Sequence, residues 1–194
     1  MTCPPPVTPR VILPPGWHYL PVSSDNAGTV ERALAPMRTL GPRDSIAPFA
    51  KELERALQRE LDDAFRAGAF AVAMPLGRPW EVPVSTSIAF SRLTVPNGSA
   101  ALPAVGETVQ TDAGIARRRI VDAPVAEDTA PAALALLRTI DYTWVVDGAY
   151  VIAVASISGE ADPEFAPVAE ALTLLITTML DAVTFAATRQ EATP

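Results

Sequence analysis

Apolar and polar positions change period along this chain. Between residues 44 and 68, Ile46, Phe49, Leu53, Leu57, Leu61 and Phe65 recur at helical spacing, with Lys51, Glu52, Arg55, Arg59 and Asp62 on the other face. Asp44 or Ser45 is placed to cap this helix, Pro48 falls in its tolerated first turn, and Gly68 ends it. A shorter helix precedes it, capped by Asp25 or Asn26 and running to about Leu40, with Val30, Leu34 and Met37 in phase. Pro36 is expected to kink or shorten it, and Gly41-Pro42 to stop it. From residue 69 the period falls to two. Strands are predicted over 69–74, 84–95, 107–111, 115–121, 136–146 and 150–157, bounded by turn-forming residues such as Pro96-Asn97-Gly98 and Asp112-Ala113-Gly114. Asp147-Gly148 is the strongest of these signals, because Gly tolerates the positive φ that a type I′ hairpin turn demands.

Upstream, residues 10–13 and 17–22 read as extended pieces separated by Pro14-Pro15-Gly16. Residues 100–105 fit neither period, and 122–131, acidic and proline-containing, reads as a long exposed loop. Asp162-Pro163 starts a last helix whose broad apolar face, Phe165, Val168, Leu172, Leu175, Ile176, Met179 and Val183, must lie on the sheet. Connections this short demand antiparallel neighbours. The expected class is therefore α+β: an antiparallel β-sheet of about six strands packed with two N-terminal helices and one C-terminal helix, an α/β/α sandwich. Residues 10–188 form one domain in this reading, between a Pro-rich tail at 1–9 and a second tail at 189–194.

Composition limits the partners. With 194 residues, 49% hydrophobic and 19% charged, the chain can bury a core without disulfides or metals. Its net charge of −7 opposes nucleic acid and anionic membrane, which are bound through Lys and Arg. Arg117-Arg118-Arg119 is the local exception, and in a strand its side chains alternate faces, so it reads as a solvated strand edge, with an anion contact as the alternative. The longest apolar segment, 165–187, is interrupted by Glu170 and Asp181, which argues against membrane insertion. No signal-peptide pattern opens the chain, and a cytoplasmic location is expected.

Reactive side chains are scarce. His18 is the single histidine, set among Trp17, Tyr19 and Leu20 as a strand-edge residue, and Cys3 is the single cysteine, set among prolines. Neither pattern supports a multi-histidine or cysteine metal site, or an activated thiol. Ser85, Thr86, Ser87 and Ser91 populate a strand with hydroxyls expected to face solvent, and no glycine-rich phosphate loop is present, so no cofactor is expected. The carboxylate groups Asp62-Asp63, Glu127-Asp128 and Glu160 with Asp162 and Glu164 read as diverging or solvated. Trp80, in a Gly-Arg-Pro-Trp turn, and Tyr142 and Trp144, on one face of a strand, are the candidate partner-contact residues. Tyr142 and Trp144 are core if both faces of the sheet are covered, and a contact strip if one is open.

Pro14-Pro15-Gly16-Trp17, the paired helices ending near Gly68, and the closing strand, acidic-Pro-Glu segment and amphipathic helix resemble an uncharacterised actinobacterial family of about this length. A fold similar to the PsbP-like α/β/α sandwich goes with that resemblance. It implies binding and assembly roles and no catalytic residues. The expected function is a non-enzymatic protein-interaction module: an adaptor, chaperone or immunity-type protein linked to a secretion or toxin system. A small-ligand-binding protein with a pocket between sheet and helices is the alternative, and an enzyme using carboxylates and arginines the second.

Overall fold

The computed structural model describes residues 7–36, 43–76, 82–95, 100–124, 135–160 and 164–187. Seven strands form one antiparallel sheet: β2 (Trp17–Pro21), β3 (Ala69–Pro75), β4 (Val84–Thr94), β5 (Glu107–Thr111), β6 (Gly114–Pro124), β7 (Ala135–Val146) and β8 (Ala149–Glu160), in the order β2-β3-β4-β8-β7-β6-β5. A two-stranded ribbon of β1 (Val7–Arg10) and β9 (Thr184–Ala187) stands apart from it. Three helices complete the fold: α1 (Ala27–Leu34), α2 (Arg43–Arg66) and α3 (Phe165–Asp181). The α+β class and antiparallel sheet follow the sequence pattern. The count does not: seven strands replace six, because the piece at Trp17 pairs with β3 as a true edge strand. Residues 7–9, expected in a tail, are tied into β1, and β9 follows a helix that stops at Asp181.

The Asp147-Gly148 turn closes β7 on β8 with φ of 50° and 72°, and Val146 pairs directly with Ala149. Both positive angles match the right-handed twist of the flanking strands, and only the second residue is a glycine. Twelve register pairs follow from that turn, making β7–β8 the longest pairing in the sheet.

One face of the sheet carries the main core. Ile88 and Phe90 of β4, Ile140, Tyr142 and Trp144 of β7, and Ala153, Ala155 and Ile157 of β8 are fully buried with Ile176, Leu180 and Val183. The alanines at 153 and 155 of β8 let α3 approach the middle of the sheet, while Tyr142 and Trp144 fill the flank. Threonines within α3 are accommodated by bonding back to the preceding turn, as Thr177 Oγ1 does to the Thr173 carbonyl at 2.8 Å.

α1 and α2 cover the opposite face at one end only. Val30 and Leu34 of α1 and Leu57 and Leu61 of α2 enclose Leu20, Val22 and Val72. Pro36 shortens α1, which ends at Leu34. Asn26 occupies the cap position but caps nothing with its side chain. Wholly buried, it accepts the Ser23 N–H at 2.9 Å and donates to Asp62 Oδ1 at 2.9 Å, tying α1 to α2. Gly68, at φ 85°, ends α2 as expected. The expected caps Asp44 and Ser45 lie inside α2, which begins at Arg43, and Asp162-Pro163 lies outside the described residues.

Candidate functional site

Strand alternation fixes what the uncovered part of the second face displays. On β8, Ala149, Val151, Ala153, Ala155 and Ile157 are buried against the main core, so Tyr150, Ile152, Val154, Ser156 and Ser158 point the other way. Register aligns them with β7 and β4: Leu93–Tyr150–Val145, Ser91–Ile152–Thr143, Ala89–Val154–Asp141 and Ser87–Ser156–Thr139 form successive rows across three strands. β6 adds Arg117 beside Thr143, Arg119 beside Asp141 and Val121 beside Thr139.

Six large apolar strand residues are exposed among the described residues, and five of them, Leu93, Ile115, Val121, Val145 and Val154, lie on this face at 37–57% exposure. Helices α1 and α2 reach it as far as Ala89. Residues 100–106 cross its other side, held by Tyr150 Oη donating to the Ala101 carbonyl at 2.6 Å and by Arg117 Nη1 donating to the Gly106 carbonyl at 3.2 Å. Under this crossing lies a cavity of about 210 Å³ lined by Pro103, Val105, Arg117, Arg119, Asp141 and Thr143.

The three arginines split between faces as strand geometry requires. Arg117 and Arg119 share the uncovered face, whereas Arg118 points to the α3 side. Arg119 donates from Nε and Nη2 to Asp141 Oδ2 at 3.0 and 2.8 Å. Arg118 binds Glu107 at 2.7 Å and reaches Tyr142 Oη at 3.4 Å, and those hydrogen bonds hold its guanidinium above its ordinary basicity.

Tyr142 and Trp144 do not form a contact strip. Both are wholly buried, their rings stacked at 5.4 Å, because α3 and β9 cover the face they occupy. Tyr142 Oη donates to Asp181 Oδ1 at 2.9 Å and Trp144 Nε1 to Thr111 Oγ1 at 3.0 Å. Burial raises the Tyr142 pKa, so its hydroxyl stays protonated. The open face is the reverse of the one these aromatics line. Trp80 and Cys3 lie outside the described residues. His18 sits half-buried on edge strand β2, opposite Met74. Thr86 is buried, contrary to the expected solvent exposure, since it shares the inward face with Ile88, whereas Ser85 and Ser87 point outward.

Carboxylates from distant segments do meet at one place. Arg138 grips Asp122 through Nε and Nη2 at 2.7 and 2.9 Å and reaches Glu170 Oε1 at 2.7 Å, joining β6, β7 and α3. These hydrogen bonds hold the Asp122 carboxyl below its usual range. Asp62 and Asp63 diverge as expected, Asp62 toward Asn26 and Gln58, Asp63 toward Arg66. The other two carboxylate groups include residues outside the described set.

The sequence reading missed the crossing by residues 100–106, which carries no periodicity, and with it the cavity. Gly106 was the available signal: its φ is 107°, and a Cβ there would lie 2.6 Å from the Arg118 carbonyl. No protein-family model matches the chain, and no curated protein matches it in sequence. No described helix is long and apolar enough to cross a membrane.

Proposed function

We propose that the chain is a protein-interaction module of the adaptor, chaperone or immunity type, non-enzymatic and cytoplasmic, which docks a protein partner on the uncovered face of β4, β8, β7 and β6. One observation carries this reading: five exposed large apolar side chains gather on one face of neighbouring strands. Scattered single apolar residues are ordinary on a protein surface, whereas a shared face of them marks a contact site. Ser87, Ser156 and Thr139 supply a hydroxyl row beside Val121 and Val154, so apolar and hydrogen-bonding groups are interspersed on this face. The partner is therefore one with an apolar patch flanked by hydrogen-bonding groups. The proposed relationship to PsbP-like sandwiches, and a link to secretion or toxin machinery, belong to the same reading.

The test compares Val154→Asp, on this face, with Leu174→Asp, at an exposed position on α3. Tagged wild-type chain and both variants are expressed in the native host and the bound proteins quantified. A stoichiometric partner retained by wild type and Leu174→Asp, and released by Val154→Asp with unchanged Tm, supports the reading. Retention by Val154→Asp overturns it.

A further inference from the structure

Four arginines project from β6 and β7, and three of them hold carboxylates: Arg118 with Glu107, Arg119 with Asp141, and Arg138 with Asp122 and Glu170. Arg117 differs. Among the described residues its guanidinium makes two hydrogen bonds, both from Nη1 to uncharged oxygens, the Gly106 carbonyl at 3.2 Å and Thr108 Oγ1 at 2.7 Å. Its Nε is buried without an acceptor there. Two cations and one carboxylate line the cavity, Arg117, Arg119 and Asp141, so one positive charge is left over in a chain of net charge −7.

That surplus sits in a shaped place. Pro103 and Val105, both exposed, form an apolar rim on one side of it. Thr143 stands opposite Arg117 in register and offers a hydroxyl donor. The Gly106 carbonyl and Thr108 hydroxyl hold the guanidinium in place before any ligand arrives, which lowers the ordering cost of binding. A single surplus charge selects a monoanion, and the planar guanidinium fork matches a carboxylate. At roughly 30 Å³ per water, the cavity of about 210 Å³ has the room of about seven waters, enough for a short aliphatic body beside the carboxylate.

We propose that this cavity binds a small monocarboxylate with a short apolar body. Arg117 takes the carboxylate, Thr143 donates a second hydrogen bond, and Pro103 and Val105 cover the apolar part. The site shares the uncovered face with the proposed docking surface, but titration of the isolated chain with a small anion tests it whether or not a protein partner exists.

Isotopically labelled full chain is titrated with butyrate, butyramide and inorganic phosphate, following the backbone amides of Val105, Gly106, Arg117 and Thr143. Butyrate is expected to shift these amides saturably, with Kd on the order of 1 mM, and butyramide to leave them unmoved. Arg117→Gln weakens butyrate at least tenfold with Tm held, and Leu174→Asp, at an exposed position on α3, leaves the titration as in wild type. Absence of saturation with butyrate, equal binding of butyramide, or tighter binding of phosphate each overturns the proposal. The butyrate and butyramide comparison is made on wild type, so it stands even if Arg117→Gln fails to fold. Binding of N-acetylglutamate amide without binding of butyrate also overturns it and reassigns the cavity to an acidic side chain of a protein.

Discussion

Replacing Tyr142 by Phe removes one oxygen from a part-buried polar contact between sheet and α3. The hydroxyl donates to Asp181 Oδ1 at 2.9 Å and receives a longer contact from Arg118 at 3.4 Å. A hydrogen bond to a charged group contributes about 1.5–3 kcal/mol. Asp181 is only partly buried, so water can serve it once the phenol is gone, and the lower end applies. The expected loss is about 1.5 kcal/mol, which in a domain of this size lowers Tm by about 3–6 °C. Asp181 closes α3, where a carboxylate opposes the helix dipole, so Asp181→Asn relieves one unfavourable term while weakening the bond and costs less than Tyr142→Phe. Chemical denaturation of wild type, both single variants and the double variant gives the coupling, expected at about 1 kcal/mol. A Tyr142→Phe chain within about 0.5 kcal/mol of wild type, or additive single effects, refutes the argument that this hydroxyl ties the helix end to the sheet.

Three further outcomes follow from particular atoms. Gly148→Ala places a Cβ at φ 72° and is expected to cost about 1–2 kcal/mol by denaturant titration, with little change in m. Gly159→Ala puts a Cβ inside the contact distance of the buried Phe165 ring and 3.0 Å from the Pro83 carbonyl, so about 1–3 kcal/mol of overpacking is expected in the same assay. Asp122→Asn removes a carboxylate whose folded pKa is depressed by Arg138; the stability it contributes is present above the unfolded value and lost as pH falls through the folded one. With Asp122 60% exposed, its share stays below about 1 kcal/mol, and the Tm difference from wild type should shrink as pH drops below about 4.

Elements governed by local chemistry were legible in the chain. The Asp147-Gly148 turn, the Gly68 helix end, the shortening at Pro36 and the period-two strands need only their own residues and immediate neighbours. Pairings across long separations were not. β2 finds β3 across fifty residues, and β1 finds β9 across nearly the whole chain, with nothing in four- or five-residue strands to announce a partner. Asn26 does hold the cap position the local pattern gives it, but its side chain donates to Asp62, a tertiary bond no local pattern announces.

The face carrying Tyr142 and Trp144 shows most clearly where periodicity stops. Alternation along 139–146 separates two sets of side chains but does not say which set meets a helix. The aromatic set is the more apolar, and α3 takes it because burying large rings removes the most surface from water. The set left outside, Thr139, Asp141, Thr143 and Val145, is the less apolar half of the same strand, and it pairs with a β6 row whose arginines could not have been buried without partners. Burial of the strongest hydrophobic face thus determined which residues remained exposed, and the surface proposed for binding is the complement of the core.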